Sequence, residues 1–181
     1  MTPAEVIADP GILYAAPIAT ADPTGYADLA TLPSAWREVG YTEEGSTFTY
    51  DVSNEPIEVA EELDPVKYAV TKRAGKVSFA MAQASRRNIA LALNLGAAAV
   101  NDGTTLEPPD PSAFLRVKLL WVSNDENSAR GVLFRKCLSV GTSEVSRKKA
   151  PNKTLIMVEF ALEKPVGDEA FAYLPNSSGL I

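Results

Sequence analysis

The sequence predicts a mainly β protein, an antiparallel sandwich or barrel with one α-helix packed outside it. Two observations indicate this. Several runs alternate apolar and polar residues with a period of two, as half-buried strands do, and they recur along the 181 residues with turn-forming loops between them. One segment near the middle of the chain has the spacing of an amphipathic helix. Such elements bury their apolar faces best as packed layers.

The composition is that of one soluble globular domain, and it excludes several kinds of activity. With 46% hydrophobic and 22% charged residues, the chain has ordinary globular proportions. Its net charge of -6 argues against a protein that binds nucleic acid by neutralising phosphates. Histidine is absent, which excludes histidine-based triads and most catalytic zinc sites. The single cysteine, Cys137, lies in an apolar run and is expected to be a buried, inert thiol.

Neither a signal peptide nor a membrane span is predicted. The N-terminus has no basic segment followed by an apolar core. Nowhere does an apolar run approach the roughly 20 residues that a spanning helix needs. We therefore expect no membrane partner and a reducing compartment for synthesis or assembly.

Residues 1–35 are predicted to form an N-terminal arm that includes a first strand at 11–16. Trp36 begins the body and is expected to pin this arm to the core. The sandwich core is then predicted over 36–164. A C-terminal tail at 165–181 either docks on a neighbouring molecule or stays loose.

Two predicted strands flank an acidic excursion bounded by prolines. Residues 46–52 and 68–82 carry the strand pattern, and a long loop is predicted between them at 53–66. Pro56 and Pro65 exclude a central strand across either position, although a short edge pairing is compatible with them.

The helix is predicted at 85–95, directly after the second of these strands. Ser85 is the expected N-cap, and Gly96 lies where a left-handed C-cap belongs. A helix of this length is marginal alone, so we expect it to pack on the sheet.

Three further strands are predicted at 114–122, 131–140 and 154–162. Each has an apolar face that is expected to point into the core. The positions expected on these faces are Leu115, Val117, Leu119 and Trp121 in the first strand, Val132, Phe134, Leu138 and Val140 in the second, and Ile156, Val158, Phe160 and Leu162 in the third.

No motif in the sequence points to catalysis. It has no glycine-rich phosphate loop and no pair of carboxylates placed to acquire the raised pKa of a general acid. We therefore expect no enzymatic activity, no cofactor and no metal.

Two oppositely charged loops are the most distinctive chemical feature of the chain. Each is a solvated loop in the simplest interpretation. If copies stack head to tail, however, complementary loops would set their register, even though an exposed ion pair contributes only about 0–1 kcal/mol. The candidate contact residues are Glu55, Glu58, Glu61, Glu62 and Asp64 in the acidic loop, and Arg147, Lys148, Lys149 and Lys153 in the basic loop.

Four segments carry a resemblance to a known family. They are WREVGYTEEG from Trp36, the loop EPIEVAEELDPVKY, the strand TKRAGKVSFAMA and the helix RRNIALALN. With these segments the chain resembles the major tail tube proteins of long-tailed bacteriophages, most closely those of phages that infect actinobacteria.

The resemblance implies a β-sandwich subunit with the tail-tube fold that forms hexameric rings. The rings stack into the tail tube of the virion, and the subunits are assembled in the host cytoplasm. The implied partners are further copies of the chain and the tape measure, tail terminator and distal tail proteins. The loop at 55–65 would reach a neighbouring subunit or ring, and the helix would lie on the outer side of the sheet.

A tube of this kind is a conduit for viral DNA, which passes without being specifically bound. An acidic wall suits that role because it repels phosphate. The channel-facing candidates are Asp51, Glu159 and Glu163, each of which is equally compatible with the outer surface. The alternative function is a monomeric β-sandwich module that binds a sugar or a peptide on a larger particle.

Overall fold

The computed structural model describes residues 11–29, 31–60, 63–96, 105–123, 130–146, 149 and 152–174. Their secondary structure is mainly strand, as predicted. The strands are β1 (Ile12–Pro17), β2 (Arg37–Glu38), β3 (Thr42–Ile57), β4 (Lys67–Met81), β5 (Val117–Ser123), β6 (Arg130–Ser146), β7 (Leu155–Leu162) and β8 (Phe171–Leu174), and the helices are α1 (Tyr26–Leu29) and α2 (Arg86–Ala92).

The strands form one antiparallel sheet in the order β2-β1-β5-β6-β7-β4-β3, with β8 beside β6. Strand β6 connects the two halves of this sheet. Its first residues pair with β5 on one side and β8 on the other, whereas its later residues pair with β7. The sheet folds over a shared core but does not close, because β3 ends it on one side and β2 on the other. The predicted β-sandwich with one packed helix is confirmed.

Aromatic side chains join the two halves of the sheet across the core. Phe48 of β3 packs against Phe134 of β6, with ring centroids 5.0 Å apart. Within one half, Phe79 of β4 stacks on Phe160 of the adjacent strand β7 at 5.7 Å. Both Phe134 and Phe160 are almost completely buried. Packing of this kind is the main source of stability for a β-sandwich.

A second apolar cluster lies on the other side of β5, where the N-terminal arm covers the sheet. Trp36 is 5% exposed and packs there with Leu29, Leu120 and Leu133. Its indole Nε1 donates a hydrogen bond to the Ala21 carbonyl at 3.3 Å. The expectation that Trp36 pins the arm is confirmed. Because the arm covers it, β5 is buried on both faces, which a period of two does not predict.

Charged groups hold the same arm in place. Asp22 accepts hydrogen bonds from Lys118 of β5 and from Arg135 of β6, the latter at 2.8 Å. Lys118 also donates to the Thr20 carbonyl at 2.7 Å. These groups are only partly exposed, so solvent screens the attraction less than at an open surface.

The predicted core faces are confirmed in part. Leu115 precedes β5 and is 53% exposed, so its assignment to the core was wrong. Leu138 and Val140 were also assigned wrongly. Val117 pairs with Cys137 while Leu119 pairs with Phe134, so β6 carries one residue more than β5 between these pairs. Such a bulge reverses the alternation.

After this bulge Cys137 takes the core position, where it is fully buried. The expected burial of this cysteine is confirmed, and burial raises the pKa of its thiol, which disfavours the reactive thiolate. Leu138 and Val140 then turn towards the other face of the sheet and are half-buried. The third strand behaves as predicted, because Ile156, Val158 and Phe160 are all buried.

Helix α2 begins where the sequence predicts. The Ser85 hydroxyl accepts a hydrogen bond from the Asn88 N–H at 3.2 Å, which is the geometry of an N-cap. The helix ends at Ala92, three residues earlier than expected. Asn94 already adopts a left-handed backbone with φ of 59°, and Gly96 follows with φ of 88°.

Asn94 joins the end of α2 to β6. Its Nδ2 donates to the Ser139 carbonyl at 2.9 Å, and its Oδ1 accepts from the Ser139 N–H at 2.8 Å. The Ser139 hydroxyl donates to the Ala92 carbonyl at 2.9 Å. Because both residues are buried, these bonds are made away from water.

Asn94→Ala is expected to destabilise the protein by about 2–4 kcal/mol. It removes two buried hydrogen bonds and forces alanine into a left-handed backbone. Urea denaturation measures the change. Asn94→Gly is the matched control, because it loses the same bonds without the backbone strain and should cost about 1 kcal/mol less. Equal losses for the two variants would contradict the role of the left-handed backbone.

Candidate assembly surfaces

Strands β3 and β4 form a long hairpin that extends beyond the rest of the sheet. They pair from Thr42 and Met81 to Ile57 and Lys67, whereas β4 pairs with β7 only over residues 76–81. The part of β4 between Lys67 and Gly75 therefore has β3 as its single ladder partner among the described residues. We call this two-stranded part, residues 50–57 and 67–75, the hairpin arm.

The hairpin arm takes up residues 53–57 of the segment that was predicted as a long loop at 53–66. Strand pairing continues to Ile57 and resumes at Lys67, so residues 58–66 connect the two strands, and we call this acidic connection the acidic turn. Pro56 lies within β3 and pairs with Tyr68. Because β3 is an edge strand, the missing N–H of Pro56 removes no ladder bond on the solvent side.

The acidic candidates lie at the far end of this arm. Glu55 is exposed on β3, and Glu58 and Asp64 are exposed in the turn. Among the described residues none of these three carboxylates takes part in an ion pair. Glu61 and Glu62 lie outside the described residues.

The described basic candidates, Lys149 and Lys153, are at the opposite end of β4. Strand β7 begins just after the basic loop, and its Ile156 pairs with Met81, the last residue of β4. The acidic turn adjoins the first residue, Lys67. Since β4 has 15 residues, the two charged regions are separated by about 50 Å along the strand. One subunit therefore does not bring them together.

The structure describes two of the basic side chains, Lys149 and Lys153, and of these only Lys153 forms an ion pair with a described residue. Lys149 is exposed and makes no ion pair with the described residues. The ammonium group of Lys153 forms an ion pair with the Glu43 carboxylate on β3 of the same chain. Lys153 is therefore a weaker candidate for contact with another subunit. Arg147 and Lys148 lie outside the described residues.

The three channel-facing candidates share one face of the sheet. Strand alternation places Asp51, Glu159 and Glu163 opposite the core residues, and Glu159 pairs with Lys76 at 2.9 Å on this face. The described side chains there are exposed or half-exposed, which leaves the face open to solvent. Its central members are Thr47, Thr49, Asp51, Lys76, Ser78, Met157 and Glu159.

The charge of Glu163 is largely compensated. Its carboxylate lies 2.7 Å from Lys136 Nζ and 3.3 Å from Arg116 Nη2. The hydrogen bond from Lys136 lowers the Glu163 pKa most, and Arg116 lowers it further against the opposing effect of burial. Asp51, which is exposed and outside the described ion pairs, presents more negative charge to solvent.

The C-terminal tail supplies a strand that the sequence analysis did not predict. Residues Phe171–Leu174 form β8 against β6 of the same chain. Phe171 packs against Phe48 and Tyr50 with centroid distances of 5.0 and 5.1 Å. The alternation of Phe171 and Tyr173 is the local signal, but four residues are too few to predict a strand with a partner.

The described residues contain neither a metal-binding cluster nor a membrane-spanning helix. Among them no group of three or more histidine, cysteine, aspartate or glutamate residues is placed to hold a metal ion. Within that same part of the chain no helix is long and apolar enough to cross a membrane.

Comparison with known proteins gives the class of the molecule and then its family. A model of the family described as phage tail tube protein matches residues 2–149. The chain is therefore a structural protein of the virus particle. The chain belongs to the phage tail tube protein family. No curated protein matches it in sequence. The family resemblance is thus confirmed, while the likeness to actinobacterial phages stays a prediction.

Membership in this family gives the chain a structural role in the virion tail, where it associates with copies of itself and with other tail proteins. The open surfaces described above are consistent with self-association. They comprise the hairpin arm, the open sheet face and the two charged ends.

Glu163→Gln is expected to remove a pH-dependent part of the stability, about 1 kcal/mol or less. Because the folded-state pKa lies below the ordinary value of 4.5, the wild-type advantage is present above that value. It is lost as the pH falls through the lower folded-state pKa. Urea denaturation of both proteins at neutral and acid pH tests this, and a constant difference at every pH would contradict it.

Proposed function

We propose that this chain forms hexameric rings which stack into the tail tube, and that viral DNA passes through the tube into the host cell. The observation that carries the proposal is the free edge of β3. This strand has 16 residues and is bonded to β4 alone in the described sheet. An edge of that length tends to pair with another chain, and closure into a ring satisfies it.

The separation of the two charged ends supports stacking. An acidic turn and a basic loop at opposite ends of β4 cannot neutralise each other within one subunit. Between successive copies they can, and a head-to-tail contact of this kind repeats indefinitely or closes into a ring. In this arrangement Glu55, Glu58 and Asp64, with Glu61 and Glu62, meet Lys149, Arg147 and Lys148 of the next copy.

The open sheet face supports a lining role. Most of its side chains are polar, with Lys76 as a basic member and Met157 as an apolar one, and the protein as a whole carries a charge of -6. With this face turned to the lumen, Asp51 supplies negative charge that repels phosphate, so DNA slides instead of binding, whereas the charge of Glu159 is compensated by Lys76. Glu163 contributes less repulsion, because Lys136 and Arg116 compensate its charge.

The resemblance to tail tube proteins supplies the remaining partners. In this proposal the tube starts on the distal tail proteins, grows around the tape measure protein and ends at the tail terminator. Its assembly takes place in the host cytoplasm.

Electron microscopy of the purified protein in negative stain tests the proposal. Over a concentration series at low and moderate salt, rings or hollow tubes with a central channel are expected. Compact monomers that persist at every concentration, both alone and with purified tail initiation complexes, would contradict it.

Charge reversal tests the stacking contact. Lys148→Glu with Lys149→Glu is expected to raise the concentration at which tubes form by up to about fivefold for each ion pair lost, since an exposed pair contributes about 0–1 kcal/mol. Sedimentation measures that concentration.

The reciprocal variant, Glu58→Lys with Asp64→Lys, should restore assembly when the four substitutions are combined in one chain. Lys164→Glu is the matched control, because Lys164 pairs with Glu169 and lies outside both charged ends. Unchanged assembly by the first variant, or no restoration in the combined chain, would contradict the proposed contact.

A further inference from the structure

The basic loop of the subunit is held by a carboxylate of its own chain. The Lys153 ammonium group forms an ion pair with the Glu43 carboxylate, and the two side chains are 58% and 32% exposed. Glu43 lies on β3 and Lys153 lies just before β7, so the pair joins two strands that do not pair with each other. The proposed stacking offers this same loop to the acidic turn of the next copy. An internal carboxylate therefore competes with that contact.

Strand register shows how far the loop reaches to make this ion pair. Glu43 and Met157 both pair with Ala80 of β4, one from each side. Their backbones are therefore separated by two strand spacings, about 10 Å. Lys153 lies four residues before Met157, on the β7 side of β4, and meets Glu43 on the β3 side. The ladder between β4 and β7 does not require this link.

A strained bulge holds Glu43 and its neighbour Glu44 at the basic end of the subunit. Between two successive pairs with β4, strand β3 carries two extra residues, Glu44 and Gly45, and both have a left-handed backbone with φ of 58° and 79°. This backbone is uncommon for a residue other than glycine, and such strain clusters at functional positions. Glu44 is exposed and takes part in no ion pair with the described residues. We call Glu43 and Glu44 the acidic bulge.

The ion pair also restrains the other described lysine of the loop. The Asn152 N–H donates a hydrogen bond to the Lys149 carbonyl at 3.1 Å, which closes a turn directly before Lys153. Because this turn joins Lys149 to the residue before Lys153, an ion pair that fixes Lys153 on β3 also limits the positions that Lys149 can take.

We propose that the acidic bulge is an autoinhibitory contact, which keeps the basic loop of a free subunit away from the acidic turn of another copy. The inference rests on the proposed stacking and names its regulation. Glu43 occupies Lys153, and the unpaired Glu44 repels the incoming carboxylates. Only subunits in which the internal pair is open bind the acidic turn, so the apparent affinity between copies is reduced by the open fraction.

Glu43→Gln tests the proposal, because it removes the charge and keeps the size of the side chain. The variant is expected to form tubes at a concentration up to about fivefold lower than the wild type, the range for one exposed ion pair. Sedimentation measures this concentration, and electron microscopy checks that the assemblies are hollow tubes. An ion pair that only stabilises the subunit predicts unchanged or weaker assembly of the variant, and either result would overturn the proposal.

A double-mutant cycle separates the ion pair from general repulsion. In a chain that carries Lys153→Gln, Glu43→Gln is expected to give little further gain, because the partner of Glu43 is already absent. An equal gain in both backgrounds would show that Glu43 does not act through Lys153. Glu44→Gln changes the repulsion alone and is expected to give a smaller gain than Glu43→Gln. A larger gain would count against the ion pair as the inhibitory contact.

The matched control is Glu169→Gln. Glu169 forms a similar exposed ion pair with Lys164 at 3.0 Å, outside both charged ends. Its assembly is expected to match the wild type, and a gain equal to that of Glu43→Gln would reveal an effect of net charge alone. Wild-type tubes without a gain in Glu43→Gln would overturn the autoinhibitory contact and leave the tube function intact. Failure of both proteins to assemble at any concentration would defeat the proposed function and this inference with it.

Discussion

The fold depends on β6, the strand that both halves of the sheet share. Its first residues pair with β5 and β8, and its later residues pair with β7. A bulge between Phe134 and Cys137 allows this, since it keeps an apolar side chain facing the core on either side of the bend. Ser139, two residues further on, receives Asn94 at the end of α2. One strand thus positions both layers and the helix.

Strand β4 also contains a bulge, at Thr71, because Ser53 pairs with Lys72 and Asn54 pairs with Val70. Its later half lies between β3 and β7 in the core, while its earlier half belongs to the two-stranded hairpin arm. Local stability follows the density of buried contacts, so the arm is the less stable part of the strand. The subunit is thus a sandwich that carries a less stable two-stranded segment.

The charges divide into those paired within the subunit and those without an ion pair among the described residues. Ion pairs of Asp22 attach the N-terminal arm to β5 and β6. Glu163 forms ion pairs with Lys136 and Arg116. The carboxylates of the acidic turn and Lys149 have no such partners among the described residues. The sequence alone does not distinguish the paired charges from the unpaired ones. Only their positions in space distinguish a charge that is paired within the fold from one that is exposed and unpaired among the described residues.

The sequence by itself determined the fold class, the start of α2 at Ser85, the burial of the Cys137 thiol and the family. Alternation, helix capping and family sequence motifs are all local properties of the chain. Tertiary structure decided which side chains face inward after a bulge. Leu138 and Val140 turned out of the core, and Tyr68 and Val70 turned to the core side of the arm, because a bulge depends on the register with the partner strand. The burial of β5 on both faces and the docking of β8 likewise depend on segments distant in sequence, whose contacts local patterns do not encode.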